Sequence, residues 1–114
     1  MGASSGWKRR LGTAFFALWL TPVATLAEAP RPEPVLANLV LQDCGSCHGM
    51  TLKGGLGPPL RPENLDPLPV EATAAIIREG VPDTAMPPWK PLLAPEEIDW
   101  ISRQLKAGTL VSPR

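Results

Sequence analysis

Apolar residues recur along the chain at spacings of three and four, and no stretch shows the strict alternation of a half-buried strand. Leu36, Leu39, Val40, Cys44 and Cys47 fall at i, i+3, i+4, i+8 and i+11, one face of a 3.6-residue repeat, while Asn38, Gln42 and Asp43 lie largely off it. The spacing predicts a helix from Val35 that stops near Gly49. Val70, Ala74 and Ile77 share a face in a second predicted helix over 69–79, with Gly80 as its stop. Pro95 opens a third, at a position where its missing N–H costs nothing, and Glu96 and Glu97 lie near the positive end of the helix dipole. Ile98, Ile101 and Leu105 form its apolar stripe, Trp100 widens it, and Lys106 and Gly108 close it. Glycine and proline dominate the connections, GGLGPPL over 54–60 and VPDTAMPPWKPLL over 81–93. The pattern predicts a small all-α domain of three main helices joined by long loops.

The start of the chain follows different rules. Lys8, Arg9 and Arg10 precede an uncharged, mostly apolar run over 11–26, and Thr25-Leu26-Ala27 puts small residues at the two positions a signal peptidase reads. The run is shorter than the roughly 20 residues needed to span a bilayer, and Pro22 interrupts it. Residues 1–27 therefore read as a cleaved signal peptide, 28–34 as a proline-rich extended lead, and 35–114 as the domain, exported to the periplasm with no membrane attachment.

Removing 1–27 takes three basic residues and no acidic one, leaving eight basic against eleven acidic, a net charge of about −3. That argues against a nucleic-acid partner, which needs a basic surface. Both phenylalanines and two of the four tryptophans leave as well, so Trp89 and Trp100 are the only aromatic bulk in a chain without tyrosine. A domain this short struggles to stabilise itself on its own core. A Cys44–Cys47 disulfide would close too small a loop to help much. Another source of core volume is expected.

Cys44-Gly-Ser-Cys47-His48 supplies one. It has the C-x-x-C-H spacing of covalent haem c attachment and holds both cysteines and the only histidine. Two cysteines one helical turn apart can each add a thiol to one of the two vinyl groups of haem. The next residue lies about 100° further round and can offer its imidazole to the iron. Small residues at Gly45 and Ser46 let the backbone approach the ring. Zinc would need about four ligands, a thioredoxin-type pair expects a βαβ unit, and a structural disulfide leaves His48 unexplained.

Two methionines remain after cleavage. Met50 is too near His48 in sequence to reach the far face of a haem. Met86 can do so, from a loop stiffened by Pro87 and Pro88, and its thioether would favour Fe(II). The alternative is that Met86 is loop packing. With both axial positions filled, the haem would carry electrons rather than bind substrate, so electron transfer is expected and catalysis is not. A ligand-binding or sensing haem with a detachable Met86 is the rival.

These residues resemble a class I cytochrome c over nearly all of the mature chain: the helix into Cys44-x-x-Cys47-His48, the GPPL at 57–60, the MPPW at 86–89 and a last helix carrying Ile98, Trp100 and Ile101. The resemblance implies the class I fold wrapped round one haem, a Pro58 carbonyl bonded to the free ring nitrogen of His48, and first and last helices in contact, with Leu36 and Val40 against Trp100 and Ile101. Ala94 departs from the serine or aspartate usual before Pro95. More narrowly, the chain is similar to the cytochrome c-55X family, encoded beside cytochrome cd1 nitrite reductase. That implies a monomeric electron carrier whose partner is nitrite reductase, or alternatively a redox helper in maturation of haem d1. Gly45, Ser46, Gly49, Pro58 and Pro87 are the expected docking rim.

Overall fold

The computed structural model of the chain describes Gly2 and residues 28–111, so the predicted signal peptide lies outside the described residues. Within them every regular element is helical: α1 (Glu33–Leu39), a π-helical turn (Val40–Cys44), α2 (Gly45–His48), α3 (Pro62–Leu65), α4 (Val70–Glu79) and α5 (Pro95–Ala107). None is long and apolar enough to cross a membrane.

The first predicted helix is one continuous run over 33–48, but it starts two residues before Val35. Pro34 sits in its first turn, where a proline N–H would have no helical partner in any case. The run is also not uniformly α. The Gly45 N–H bonds to the Val40 carbonyl, five residues back. One extra residue in a turn sets the following face back by about 100°. Leu36 and Val40 are buried in the core, whereas Cys44 and Cys47, predicted on the same face, are only half-buried and turn to another wall.

α5 packs most extensively on α4 and also touches α3 and α1. Leu36, Val40, Leu65, Ala74, Ile98, Ile101 and Leu105 form the core, with Trp100 packed half-buried against it. The predicted meeting of the first and last helices is therefore present. Ser102, also fully buried, satisfies its hydroxyl on the Ile98 carbonyl one turn back, at 2.8 Å. The loop after α2 adds Leu52, whose φ of +58° is unusual for a leucine; the loop holds it there by its own bonds, Leu52 N–H to Gly49 O and Leu60 N–H to Leu52 O.

Two ties fix the ends of α5. Ala94 is the N-cap and its side chain caps nothing, but the Glu97 carboxylate accepts the Ala94 N–H at 2.9 Å, half of a capping box. The same carboxylate accepts the Arg31 backbone N–H at 2.8 Å and its guanidinium at 3.1 Å, so part of the predicted extended lead is stitched onto α5. At the other end the Lys106 ammonium donates to the carbonyls of Leu65, the last residue of α3, and of Leu68 in the loop after it. α3 itself was not anticipated: four residues are too few for a periodicity signal.

Candidate haem site

The loops and helices enclose a cavity of about 710 Å³, walled by Cys44, Cys47, His48, Pro58 and Met86 together with Leu56, Leu60, Leu65, Leu68, Ile76, Ile77, Val81 and Trp89. All five sequence-predicted site residues line this one space, though they come from segments far apart in the chain.

The end of the π turn and α2 carry three of them. Cys44 and Cys47 are free thiols within one turn of each other. Burial, with the Asp43 carboxylate beside it, pushes the Cys44 thiol up to about 11. The thiolate is disfavoured there, whereas an uncharged thioether carries no such penalty. His48 follows, and its Nδ1 lies 2.7 Å from the Pro58 carbonyl oxygen. A carbonyl can only accept, so Nδ1 carries the proton and Nε2 keeps a free lone pair, the form a metal requires.

The loop geometry makes that bond possible. The Gly57 N–H is bonded to the Cys47 carbonyl at 2.8 Å, which folds the loop back against α2. A Cβ on Gly57 would stand 2.7 Å from Cε1 and 2.8 Å from Nδ1 of His48, so only glycine admits the imidazole.

Met86 arrives on a braced loop. Gly80 ends α4 at φ +67°, and a Cβ there would come within 2.7 Å of the Met86 oxygen and the Pro87–Pro88 backbone. The Val81 N–H bonds to the Met86 carbonyl, the Met86 N–H to Thr84 Oγ1, and the Thr84 hydroxyl back to the Val81 carbonyl at 2.7 Å. The Trp89 N–H bonds to the Ile77 carbonyl at 3.0 Å. Met86 is half-buried in the cavity wall; Met50 is exposed and outside it.

The cavity fits a haem. Its volume is in the range of pockets for large ligands, its walls are apolar, and one imidazole, one thioether and two thiols converge on it. Among the described residues no group of three or more His, Cys, Asp or Glu side chains could hold a metal ion. Ile76 and Val81, apolar and 39% and 40% exposed, are walls that a ring would cover, whereas Leu56, 82% exposed, stands further out toward solvent. Sequence reasoning missed these walls, and Leu56 in particular was hidden in a glycine loop.

Comparison with known proteins agrees. The family model for cytochrome c oxidase, cbb3-type, subunit III matches residues 34–103. Cytochrome c55X of Pseudomonas aeruginosa is 43% identical over 107 residues, spanning 85% of this chain and 90% of that protein. Cytochrome c55X of Stutzerimonas stutzeri is 45% identical over 101 residues, spanning 87% and 88%. The chain belongs to the cytochrome c55X family of c-type cytochromes. It is a monohaem electron carrier with covalently bound haem c. Among solved structures, the c-type cytochrome NirC superposes with a TM-score of 0.70 at 44% identity, over 75% of this chain and all of that one. Dihydro-heme d1 dehydrogenase NirN, solved in complex with DHE, superposes with a TM-score of 0.60 at 32% identity, over 68% of this chain but only 16% of that much longer one.

Proposed function

We propose that the protein is a periplasmic single-electron donor to cytochrome cd1 nitrite reductase, with haem joined to Cys44 and Cys47 and its iron held by His48 and Met86. The observation that carries this reading is the convergence of His48 Nε2, left free by the Nδ1–Pro58 bond, and the braced Met86 thioether on one apolar cavity. The haem supplies a one-electron iron couple. His48 and Met86 would hold its iron and the apolar walls would keep water from it, which favours transfer over catalysis. The likeness to c55X proteins and to NirC supports a place in nitrite respiration.

A second reading has an observation of its own. The part of NirN that resembles this chain belongs to a protein named as a dihydro-heme d1 dehydrogenase. An oxidation of that class releases electrons, and a small cytochrome of the same build could receive them.

Stopped-flow mixing separates the two. Reduced cytochrome should be oxidised rapidly by oxidised cd1 nitrite reductase. No transfer at any salt concentration would sink the donor role, and reduction of the oxidised cytochrome by a turning-over d1 dehydrogenase would then favour the maturation role.

A further inference from the structure

The loop that carries Met86 is anchored at two places. The Trp89 and Lys90 N–H groups donate to the Ile77 and Arg78 carbonyls, which fastens it to α4. Beyond that point the chain turns: Leu92 and Leu93 place their N–H groups on the Trp89 carbonyl, at 2.9 and 3.0 Å, and Leu93 is buried in the core. The second anchor comes from far away in sequence. The Leu92 carbonyl accepts a guanidinium N–H of Arg31 at 2.8 Å, across 61 residues.

Arg31 is itself firmly held. Its Nη1 lies 3.1 Å from one Glu97 carboxylate oxygen, and its backbone N–H donates to the other at 2.8 Å. Glu97 is only 4% exposed and also accepts the Ala94 N–H, so this hold on α5 is buried and fixed in its turn. Pro32, next in the chain, is the N-cap of α1 and accepts the Val35 and Leu36 N–H groups. An exposed ion pair contributes little, but a planar fork that bonds a buried carboxylate and a backbone carbonyl together orders three segments: α1, α5 and the turn over 89–93. Only Pro87 and Pro88 stand between that turn and Met86, and their locked φ angles leave little slack. We infer that Arg31 is a positioning residue for Met86: the proline-rich lead straps down the turn over 89–93, and the stiff Pro87–Pro88 segment passes the restraint to the thioether. The step to the iron rests on Met86 being its ligand. It needs no contact between Arg31 and the cofactor, and Arg31 lies outside the cavity wall.

The test is displacement of the sixth ligand by imidazole in the oxidised holo-protein, followed by loss of the iron–thioether charge-transfer band. Arg31→Met keeps an apolar stem and removes the fork. It should bind imidazole about tenfold more tightly than the wild type, the effect of losing a charge-assisted bond. Arg31→Lys keeps the charge but offers a point in place of a fork, and should fall between the two. Ile101→Val lowers overall stability from inside the core and should bind imidazole as the wild type does. An Arg31→Met protein that matches the wild type overturns the inference, and so does an equal rise in Ile101→Val, because imidazole binding would then follow general stability. A wild type that binds imidazole as tightly as Met86→Ala takes Met86 off the iron and overturns the ligation reading itself. Amide exchange reads the strap without reference to the iron. Exchange at Trp89, Leu92 and Leu93 should quicken about tenfold in Arg31→Met, with the amides inside α4 unchanged. Unchanged exchange in the turn overturns the strap whatever ligand the iron carries.

Discussion

The imidazole of His48 donates Nδ1–H to the carbonyl oxygen of Pro58 across 2.7 Å, and Gly57, the residue before that proline, leaves the ring room to do so. The GPPL loop thus does two things to one side chain. It sets the tautomer through the carbonyl, and it sets the ring position through a missing Cβ. Gly57→Ala should push the ring off Pro58, because the new methyl would overlap Cε1. The expected cost is about 1–3 kcal/mol, as for overpacking elsewhere. A lowered denaturant midpoint with a perturbed haem spectrum would confirm it; an unchanged spectrum would show that the loop yields instead.

The parts of this site that are legible in sequence are the parts set by local spacing. Cys44, Cys47 and His48 stand together because the chemistry of attachment demands it, and Met86 was singled out by elimination among two methionines. Pro58 was legible only through a phrase shared with a family. The π turn before Cys44 was not, because the apolar spacing up to Cys47 satisfies an unbroken α-helix equally well. Nor was the Arg31–Glu97 tie, which joins residues 66 apart and depends on how α1 docks on α5. The docking rim was partly misjudged for the same reason: Gly45 is buried, with Met50 packed over it, whereas Leu56 is 82% exposed at the cavity wall.

Met86→Ala should open the sixth position. Iron would keep His48 alone, and carbon monoxide should then bind the reduced variant rapidly while the wild type binds it slowly or not at all. Equal, rapid binding in both proteins would make Met86 ordinary packing and favour the ligand-binding reading.

Ala94 is the N-cap of α5 and offers the first turn no acceptor. Ala94→Ser should add the missing half of the capping box while Glu97 keeps its own half, stabilising the holo-protein by roughly 1 kcal/mol. The gain is read as a raised urea midpoint at unchanged slope. A lowered midpoint would mean that the hydroxyl disturbs the Glu97 network more than it caps.

Glu97 links stability to pH. Burial alone would raise its carboxyl, but the N–H groups of Arg31 and Ala94, and then the Arg31 charge, outweigh that and hold it below its ordinary value of 4.5. A depressed folded-state pKa means stability that is fully present above about 4.5 and is lost as pH falls through the lower, folded value. Glu97→Gln should destabilise the protein by about 1–3 kcal/mol at pH 7, and the difference from wild type should shrink below pH 4.5. A difference that stays constant down to pH 3 would place the acid sensitivity elsewhere.

The last prediction concerns docking and depends on the donor role. Weak redox encounters use small interfaces, because turnover requires release. Leu56 projects from the cavity wall with most of its surface in water, and Ser46, Pro58 and Pro87 are exposed beside the same loops and α2. A leucine there can be covered by a partner at low desolvation cost, while a carboxylate in its place would have to be stripped of water. With residues 1–27 removed, the net charge of about −3 would act at longer range and set the ionic-strength dependence of the encounter. Leu56→Glu should therefore slow electron delivery to cd1 nitrite reductase more than Ser46→Glu does, with both haem spectra and both potentials near those of the wild type. Stopped-flow rates over a range of salt concentrations measure this directly. If Ser46→Glu is the slower of the two, the contact centres on α2 rather than on the glycine loop; if neither variant is slowed at low salt, the partner docks on another face of the molecule.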